Sequence, residues 1–501
     1  MGDRQDGGRD AEYGPKSLTE LGFPGGGKPV TGLALDSREV RDGYLFAALP
    51  GSRVHGGEFI QYALRMGAGA ILTDAEGAEI AREALAASEA RLIVAEDPRQ
   101  AFSAAAALWF GAQPGIMVGV TGTNGKTSVS SFTRQLWQGL GHASANIGTT
   151  GIEGDFAAEL AHTTPDPLTL HRALAEMAAA GITHAAMEAS SHGLDQRRLD
   201  GVRLSAAGFT NFTQDHLDYH ETFAAYFAAK AGLFTRVLGD TGMAVINLDD
   251  PRGADMMALA HTSGADLLTV GQHKDAMLRL TAQRYDADGQ EMRFTWKGSA
   301  HQARLELVGG FQAANVLVAM GLVMATGAQV SDLVPLLPRL KTVRGRMQKV
   351  ARRANGATVF VDYAHTPDAL KTALRALRPH VLGRLVVVFG AGGDRDASKR
   401  PLMGQAAADE ADVIFVTDDN PRSEDPALIR AQVKAGCPEA TEVGDRAEAI
   451  LRGVDALGPG DVLLIAGKGH ETGQTVGDTV YPFDDAEQAS VAVAALEGRL
   501  A

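Results

Sequence analysis

The distribution of apolar residues along the chain predicts three successive regions of mixed helix and strand. Residues 18–113 combine short apolar runs (YLFAAL, AILT, RLIVA) with an Ala-rich helical stretch, which is typical of a small α/β domain. The residues before them, 1–17, are rich in Gly, Asp and Arg without periodicity, and we expect a disordered tail there. Gln113-Pro114-Gly115 marks the predicted end of this first domain.

The second region, residues 114–343, begins with the apolar run IMVGV, passes through TGTNGKT and continues into the helix-compatible stretch SVSSFTRQLWQGL. The runs AAGFT and MAVIN predict further buried strands, and residues 265–308 suit a small β insertion. A central parallel or mixed sheet of the P-loop ATPase type is therefore predicted.

The third region, residues 344–501, has the clearest alternation of strand and helix. Strand-like runs TVFV, RLVVVF, DVIFV and DVLLIA are separated by Ala-rich helical stretches. Such alternation predicts a parallel, doubly wound sheet of the Rossmann-like type, so that the fold class of the whole chain is α/β with three domains.

Composition narrows the classes of protein that this chain can represent. Its 501 residues agree with about three domains of ~150 residues each. The start has no apolar signal-peptide core and no stretch approaches the roughly 20 apolar residues that span a bilayer, so we expect a cytoplasmic protein without membrane insertion. Cys437 is the only cysteine, which excludes a disulfide framework and a thiolate metal cluster.

The net charge of −14 argues against a nucleic-acid partner, because binding to phosphate backbones needs a basic surface. It does not exclude small anionic substrates. Arginine side chains and helix N-termini act over short range, and salt screens the distant field of an acidic protein.

The segment Thr121–Thr127 lies between a predicted strand and a predicted helix, where backbone N–H groups can surround phosphate oxygens. Lys126 would reach the β- and γ-phosphates and Thr127 would bind Mg²⁺. The strict P-loop pattern fails at its first glycine, which is Val120 here, so a generic strand-to-helix turn is the alternative. No asparagine precedes a lysine, so the guanine signature is absent and ATP is preferred. The predicted nucleotide-binding residues of the loop are Gly122, Thr123, Asn124, Gly125, Lys126 and Thr127.

Polar motifs follow four predicted strands of the third region. They are Asp362 after TVFV, Gly392–Arg395 after RLVVVF, Asp419–Arg422 after DVIFV and Gly467–Glu471 after DVLLIA. In a parallel sheet these strand ends lie on one edge, where open α/β folds bind ligands. Two arginines and a glutamate there suit a small zwitterion, because guanidinium groups bind carboxylates and a carboxylate binds an ammonium.

Several motifs occur together and in order: VTGTNGKTSV, HTTPDP, MEASSHGLDQRRL, FTNFTQDHLDYHETFAAYFAAKAGLF, RGRMQ, VDYAHTPDAL, FGAGGDRDASKRPLM, DDNPR and AGKGHE. From about residue 30 onward, the chain resembles the Mur ligase family, and within it the UDP-N-acetylmuramoyl-tripeptide synthetases. The resemblance implies an ATP-dependent ligase that adds meso-2,6-diaminopimelate to UDP-N-acetylmuramoyl-L-alanyl-D-glutamate through an acyl phosphate. It thereby implies a role in peptidoglycan synthesis, cell-wall biogenesis, cell shape and cell division. DDNPR is typical of the diaminopimelate-adding members.

The same resemblance implies two magnesium ions and a chemically modified lysine. Thr127 and Glu188 would hold the first ion, while His216 and a carbamylated Lys230 would hold the second. Chemistry leaves alternatives open. Glu188 is otherwise a surface or paired carboxylate, Lys230 is otherwise a helix-surface lysine, and imidazole is a less natural magnesium ligand than oxygen.

The remaining site residues are also carried over from the resemblance. Expected ATP-binding residues outside the loop are Asn315, Arg346, Asp362 and His365; UDP-substrate residues are Ser37, Thr163, Thr164, Ser190, Gln196 and Arg198; diaminopimelate residues are Arg395, Asp419, Asn420, Pro421, Arg422, Gly467 and Glu471. Serine and threonine also commonly cap helices and turns, and His365 is a candidate cap of the next helix. Lys126, Glu188, His216 and Lys230 are the expected catalytic residues, and a monomer is expected.

Two other functions are compatible with part of this pattern. Folylpolyglutamate synthetases share the phosphate loop and the general architecture, but the muramoyl-side motifs and DDNPR count against them. A non-catalytic ATP-binding regulator would not need Glu188, His216 and Lys230 in addition to the loop.

Overall fold

The computed structural model describes residues 13–51, 53–213 and 217–499. Within those ranges, no helix has both the length and the apolar character needed to cross a membrane. The chain divides into two compact units: residues up to Ala276 with Val318–Gln329 form the first, and Met277–Leu317 with residues from Val330 form the second. Of the expected central domain, 114–343, residues 277–317 and 330–343 lie in the second unit, and its bounds stay a prediction.

The division has a local cause in the second unit. The ring of His380 lies 2.6 Å from the carbonyl oxygen of Asp286 and accepts a 3.1 Å hydrogen bond from the Gly309 N–H. Lys349 also forms an ion pair of 2.7 Å with Asp288. The β insertion consequently packs with the C-terminal part of the chain.

A four-stranded parallel sheet forms the N-terminal domain, as predicted for a small α/β domain. Its strands, in spatial order, are β1 (Leu33–Ala34), β2 (Leu45–Ala47), β3 (Ala70–Thr73) and β4 (Arg91–Val94). Its helices are α1 (Ile60–Arg65), α2 (Ala75–Ile80), α3 (Arg82–Ala86) and α4 (Pro98–Phe110), with 3-10 turns at Ser37–Glu39 and Gly56–Phe59. Asp97 starts α4 by accepting a hydrogen bond from the Gln100 N–H, with Pro98 at the first helical position.

The structure shortens the expected tail. Tyr13 packs edge-on against Phe110 of α4, with 4.9 Å between ring centroids. The backbone of Lys16 exchanges two hydrogen bonds with Val30. Residues 13–17 therefore belong to the N-terminal core, because Tyr13 supplies apolar area that the composition of the segment conceals; residues 1–12 lie outside the described ranges.

A mixed sheet forms the centre of the first unit, as predicted. Its strands are β5 (Ile116–Thr121), β6 (Ser144–Gly148), β7 (Gly151–Gly154), β8 (His184–Glu188), β9 (Ala206–Phe209), β10 (Met243–Asn247) and β11 (Asp266–Gly271). Their order is β11-β10-β9-β5-β8-β6-β7, with only β7 antiparallel to its neighbour among these strands. The helices are α5 (Lys126–Gly139), α6 (Pro167–Ala179), α7 (Ser191–Asp195), α8 (Leu217–His220), α9 (Phe223–Gly232), which continues into a π-helical turn (Leu233–Val237), and α10 (Gly253–Thr262).

The second unit begins with an antiparallel sheet, in agreement with the predicted β insertion but within narrower bounds. It contains β12 (Leu278–Asp286), β13 (Gly289–Trp296) and β14 (Ser299–Leu305). Helix α11 (Phe311–Ala325) crosses the division between the two units, and α12 (Val330–Leu333) precedes a 3-10 turn at Val334–Arg339.

The C-terminal sheet has the predicted parallel, doubly wound form. Its strands are β15 (Gln348–Arg352), β16 (Thr358–Asp362), β17 (Leu385–Phe389), β18 (Val413–Val416), β19 (Thr441–Glu442) and β20 (Val462–Ala466), in the order β15-β16-β20-β17-β18-β19. Only β15 is antiparallel to its neighbour in this sheet. The helices are α13 (Pro367–Leu377), α14 (Lys399–Glu410), α15 (Pro426–Lys434), α16 (Arg446–Asp455) and α17 (Asp485–Leu496), with a 3-10 turn at Arg378–His380 and a hairpin of β21 (Gly473–Val476) and β22 (Thr479–Pro482).

Alternating side chains of the C-terminal strands form two apolar cores. Phe360, Val387 and Leu464 pack on one face with α13, α14 and α15, whereas neighbouring strand residues pack on the other with α16 and α17. Strands that are covered on both faces consist of consecutive apolar residues, and this explains why the sequence predicts the strands of this sheet clearly. The polar residues are therefore confined to the strand ends.

Candidate active site

The predicted phosphate loop lies between β5 and α5. Gly122 has a φ of 145°, and a Cβ atom there would lie 1.9 Å from Thr210 Oγ1, so this position requires glycine. Gly125, with a left-handed φ of 89°, directly precedes α5. The N–H groups in the first turn of a helix such as α5 have no carbonyl acceptors in a preceding turn, and the positive end of the helix dipole lies at the same place. This is a suitable place for phosphate oxygens.

Asn211, which sequence reasoning did not select, holds the loop in place. Its side-chain oxygen accepts a 2.9 Å hydrogen bond from the Asn124 N–H, and its amide nitrogen donates to the Asn124 carbonyl at 3.0 Å. The Thr123 N–H donates to the Asn211 carbonyl at 2.9 Å. The segment after β9 therefore fixes the loop backbone. The motif containing Asn211 was visible in the sequence, but its partner was not.

The two predicted active-site lysines of the first unit both contact this loop. Lys126 Nζ donates to the carbonyl oxygens of Gly122 at 3.0 Å and Thr123 at 2.9 Å. Lys230 Nζ donates to the Gly122 carbonyl at 2.7 Å and lies 4.5 Å from the ring centroid of Tyr226. Lys230 is only 1% exposed, so its interpretation as a helix-surface lysine is wrong. The packing of α9 turns it toward the loop.

Glu188 ends β8 beside the loop, since Val120 and Glu188 are paired between β5 and β8. It is 1% exposed, and Oε1 accepts a 2.8 Å hydrogen bond from the Thr149 N–H. The alternative of a surface carboxylate is therefore wrong, and the assignment of Glu188 to a metal ion stays a prediction. Oε2 has a longer contact of 3.4 Å with the Thr149 hydroxyl.

These donors fit a hard cation. The Glu188 carboxylate and the hydroxyl of buried Thr127 supply oxygen, which Mg²⁺ prefers. In the described ranges, no group of three or more His, Cys, Asp and Glu side chains could hold a metal ion. His216 lies outside the described residues.

Five of the predicted UDP-substrate residues converge beside Glu188. Thr164 Oγ1 donates to the Glu188 carbonyl at 2.9 Å and accepts from the Ser190 N–H at 3.1 Å. Arg198 donates through Nη1 to the Thr164 carbonyl at 2.6 Å and through Nη2 to the Gln196 side chain at 2.7 Å. Thr163 completes the group, with its hydroxyl 3.1 Å from that of Thr149.

Two hydroxyl assignments have a structural explanation as well. Ser190 Oγ accepts a 3.0 Å hydrogen bond from the Gly193 N–H and so caps α7, as the helix-cap alternative predicted. Ser37 is buried at the start of the 3-10 turn Ser37–Glu39, which Asp36 caps by accepting from the Arg38 N–H at 2.9 Å. The assignment of Ser37 to the substrate stays a prediction.

In the second unit, the four predicted strand ends lie on one edge of the C-terminal sheet. Asp362 at the end of β16 is paired with Ala466 at the end of β20, and Phe389 of β17 is paired with both Ala466 and Val416. The motifs that follow these strands therefore leave the sheet side by side, as the sequence predicted. Parallel strands that are paired in register must end at the same edge of the sheet.

Around Asp362, the structure assembles aromatic and cationic groups. Asp362 accepts hydrogen bonds from the N–H groups of Met347 at 2.7 Å and Ala364 at 2.9 Å, and burial raises the pKa of its carboxyl. The Arg346 guanidinium lies 4.7 Å from the Tyr363 ring centroid. The imidazole of His365 lies 4.6 Å from that ring.

Helix α13, which follows this segment, is capped by Thr366 and not by His365. Thr366 Oγ1 accepts from the Ala369 N–H and starts α13, so the interpretation of His365 as the cap is wrong. His365 Nδ1 instead lies 2.8 Å from the Tyr363 carbonyl oxygen. Asn315 is buried on α11, where its amide donates to Gln312 at 3.1 Å. The sequence did not reveal the contribution of Tyr363.

Asn420 connects two motifs of the predicted amino-acid site through a hydrogen bond to Glu471. Its amide nitrogen donates to Glu471 Oε2 at 3.0 Å, and burial raises the pKa of Glu471. Arg422 has a left-handed φ of 51° and donates through Nη1 to the Gly393 carbonyl at 2.8 Å. Arg395 is exposed. Asp419 and Pro421 are buried, and Gly467 packs against the Asp419 carboxylate.

Comparisons with known proteins agree with this geometry. The Mur ligase family catalytic domain matches residues 29–109, the Mur ligase middle domain matches residues 120–323, and the Mur ligase glutamate ligase domain matches residues 345–469. A protein from Bradyrhizobium diazoefficiens is 50% identical over 469 residues, covering 93% of this chain and 95% of the relative. The chain belongs to the Mur ligase family.

The names of this relative and of others agree. The Bradyrhizobium protein is named UDP-N-acetylmuramoyl-L-alanyl-D-glutamate--2,6-diaminopimelate ligase, as is a Caulobacter vibrioides protein that is 48% identical over 94% of this chain and 96% of its own. A solved Mur ligase structure of the same name has a TM-score of 0.72 and 34% identity, over 96% of this chain and 99% of that chain.

Mycobacterium tuberculosis folylpolyglutamate synthase, solved with ADP and AMPPCP, shares the Mur ligase fold. Its TM-score is 0.61 at 19% identity, over 80% of this chain and 95% of that chain. This likeness concerns the fold alone. It explains why the architecture and the phosphate loop could not by themselves exclude a folate-linked activity.

Proposed function

We propose that the chain is an ATP-dependent ligase that adds meso-2,6-diaminopimelate to UDP-N-acetylmuramoyl-L-alanyl-D-glutamate in peptidoglycan precursor synthesis. The observation that carries the proposal is at the edge of the C-terminal sheet, where the Asn420 amide donates to the half-buried Glu471 and Arg422 lies in the same motif as Asn420. The shared name of relatives that are 46–50% identical supports it. The same proposal includes a cytoplasmic location and a monomeric state of the protein.

In the first unit, the phosphate loop would bind ATP. Lys126 and the first turn of α5 place positive charge where the β- and γ-phosphates would lie. Magnesium, when bound, offsets the repulsion between ATP and the D-glutamyl carboxylate. Thr127 and Glu188 would hold one ion. His216, assigned from the sequence alone, and carbamylated Lys230 would hold the second.

The carbamate on Lys230 is a separate part of the proposal. The Lys230 ammonium would first lose one proton; the neutral amine would then add to the carbon of CO₂ and release a second proton, which gives an N-carboxylate. The buried Nζ lies 2.7 Å from the loop carbonyl of Gly122, so the reaction would exchange a cation for anionic oxygen donors at the loop. Such donors suit magnesium better than an ammonium does.

The proposed reaction has two steps. The D-glutamyl γ-carboxylate attacks the γ-phosphorus of ATP, which forms an acyl phosphate and releases ADP. The amine of diaminopimelate then attacks the acyl carbon, an amide forms, and inorganic phosphate and a proton leave. Arg198 and the hydroxyl groups near Glu188 would hold the UDP-substrate, because guanidinium and hydroxyl donors suit phosphate and sugar oxygens.

The second unit would bind the remaining reactants. Asp362 suits ribose hydroxyls, with Arg346, His365 and Asn315 as further nucleotide contacts. At the sheet edge, the fork of Arg422 suits the distal carboxylate of diaminopimelate, and Glu471 suits an ammonium. Lysine lacks that carboxylate.

The experiment is a coupled assay of ADP and phosphate release by the purified protein. We expect release to require ATP, the UDP-dipeptide and meso-diaminopimelate together. Replacement of diaminopimelate by L-lysine should lower kcat/KM by about 10³ or more, because the site's donors would lose their anion. Equal use of L-lysine would overturn the specificity, and release driven by a folate with L-glutamate would instead identify a folylpolyglutamate synthetase.

A further inference from the structure

The amide of Asn420 has one orientation that its neighbours allow. Its side-chain oxygen accepts two hydrogen bonds of 2.9 Å, from Lys468 Nζ and from the Thr475 N–H. An ammonium and a backbone N–H are donors only, so the atom facing both must be the oxygen. The amide nitrogen consequently faces Glu471 Oε2 at 3.0 Å. A reversed amide would place two donors against two donors and leave Glu471 without this bond.

Lys468 supplies the charged half of that arrangement. It is 0% exposed, and Nζ also donates to the Gly473 carbonyl at 2.8 Å. Burial lowers the pKa of this amine, while the Asp419 carboxylate, 4.0 Å away, acts in the opposite direction. A buried ammonium is costly unless its donors are paired. Here Nζ donates to Asn420, a predicted substrate residue, and to the first residue of β21.

A second buried cation, Arg446, lies near Asp419, the residue before Asn420. Arg446 forms two hydrogen bonds with the buried carboxylate of Asp485, at 2.7 and 2.6 Å, and its Nη2 donates to the Ala466 carbonyl. Its Nη1 lies 3.9 Å from Asp419 Oδ2. Asp419 therefore lies between two buried cations. The charge around Asn420 is fixed before any substrate arrives.

The hairpin β21–β22 connects Asn420 to Arg422. Gly473 and Thr475 of β21 bind Lys468 and Asn420, respectively. The Thr475 carbonyl in turn accepts from the Arg422 N–H at 3.1 Å, and the Gly477 N–H donates to the Arg422 carbonyl at 2.7 Å. Loss of the Lys468 ammonium would thus act on Asn420 and on the strand that holds Arg422.

We infer that Lys468 is a positioning residue for the amino-acid substrate: it holds the Asn420 amide in the orientation that supports Glu471, and it anchors the hairpin that supports Arg422. The inference rests on the proposed function, because it concerns binding of diaminopimelate. Lys468 itself needs no contact with that substrate. Its effect passes through the Asn420 amide and through the Gly473 carbonyl of the hairpin.

The test compares Lys468→Met, which keeps the length of the side chain without its charge, with the wild-type enzyme. We expect KM for diaminopimelate to rise about tenfold or more, since a charge-assisted hydrogen bond at a buried site contributes on that scale. KM values for ATP and for the UDP-dipeptide should stay within about twofold of wild type, because those ligands meet other residues.

A double-mutant cycle separates positioning from a general loss of stability. In an Asn420→Ala background, Lys468→Met should lower kcat/KM for diaminopimelate by a smaller factor than it does in the wild type, because the part of its effect that passes through the Asn420 amide is already lost. Multiplicative effects would overturn the inference. An unchanged KM for diaminopimelate in folded Lys468→Met would do so too. If that variant does not fold, Lys468→Gln is judged by the same criterion.

Arg384→Met is the matched control. Arg384 forms a hydrogen-bonded ion pair with Asp461 at the opposite end of β17 and β20, so its loss removes a cation from the same sheet away from the site. It should lower the melting temperature and leave KM for diaminopimelate unchanged. A rise in that KM equal to the Lys468→Met effect would make the lysine merely structural. A wild type inactive with diaminopimelate would instead refute the proposed function.

Discussion

The Lys230 ammonium donates a 2.7 Å hydrogen bond to the carbonyl oxygen of Gly122, which joins positions that are 108 residues apart in the chain. Tyr226, one turn earlier on α9, lies 3.2 Å through its hydroxyl from Thr123 Oγ1. Helix α9 therefore contacts two successive residues of the phosphate loop, Gly122 and Thr123. Changes in this helix should act on ATP use.

Lys230→Ala should abolish ligation, because it removes both the contact with the loop and the amine that would be carbamylated. High bicarbonate should not restore activity, whereas a short carboxylate such as acetate should restore part of it by supplying oxygen donors in the space left. The measurement is ADP release with each additive. Carbamate on the wild type should appear in ¹³C NMR after addition of labelled bicarbonate, and a fully active enzyme with unmodified Lys230 would refute the carbamate.

Lys126→Ala should also remove activity while the fold persists. Nζ of Lys126 donates to the loop carbonyls of Gly122 and Thr123, so its replacement acts directly on the loop. We expect a change in unfolding free energy of about 1 kcal/mol, the size of ordinary hydrogen-bond losses. Circular dichroism melting and ADP release are measured together. Lys341→Ala, at an exposed ion pair, is the control, and unchanged turnover in Lys126→Ala would contradict the assignment of the loop.

Gly148→Ala should impair the reaction through Glu188. A Cβ at Gly148 would lie 2.0 Å from Glu188 Oε1, so the carboxylate must move. We expect kcat to fall about tenfold or more, since small displacements of positioned groups are costly. Gly115→Ala is the matched control, because the nearest atom to its Cβ is 4.0 Å away. Equal activity of the two variants would show that the position of this carboxylate is unimportant.

His171 should make the stability of the first unit depend on pH. Burial lowers its pKa from 6.5 to about 4, so between these values the unfolded chain binds a proton that the folded chain does not. Stability from this residue is complete above pH 6.5 and falls as pH decreases toward 4, by at most about 3 kcal/mol. His171→Gln should therefore reduce the loss of melting temperature between pH 7.5 and 5. The exposed His261→Gln should not, and an unchanged slope in His171→Gln would count against this account.

Arg422→Ala should raise KM for diaminopimelate strongly and leave those for ATP and the UDP-dipeptide nearly unchanged. Its guanidinium already donates to the Gly393 carbonyl, so the variant also loses a contact between two of the edge motifs. The Arg422→Ala variant should not accept lysine as a substrate, because the loss of a cation does not create a pocket for an ammonium. Steady-state kinetics with both amino acids decide; an unaltered KM for diaminopimelate would exclude Arg422 from the site.

The sequence predicted those features whose cause is local. The loop at Gly122–Thr127 and the four polar strand ends follow from apolar runs with adjoining glycine and charged residues, and the parallel pairing then brings the ends together. The mixed central sheet and the β insertion were likewise readable from periodicity. Roles at individual residues, such as Ser37 and Arg395, stay predictions.

What the sequence could not supply depends on contacts between distant segments. Asn211 and Tyr363 were passed over because their partners lie in other elements. The burial of Lys230 was concealed by an ordinary Ala-rich helix, and Lys468 appeared only as one letter between two glycines. The contact of Tyr13 with Phe110 joins the polar N-terminal segment to α4, and no local pattern indicates it.

The position of β20 in the middle of the C-terminal sheet has a consequence for synthesis on the ribosome. β20 is made after β16, β17 and β18, yet it lies between β16 and β17. Until residues 462–466 emerge, β16 has no parallel neighbour and β17 lacks one of its two. Nascent chains therefore carry open strand edges, which favour association with other chains. We expect a chain that is halted before β20 to bind chaperones and to lack Gly467, Lys468 and Glu471 of the proposed amino-acid site.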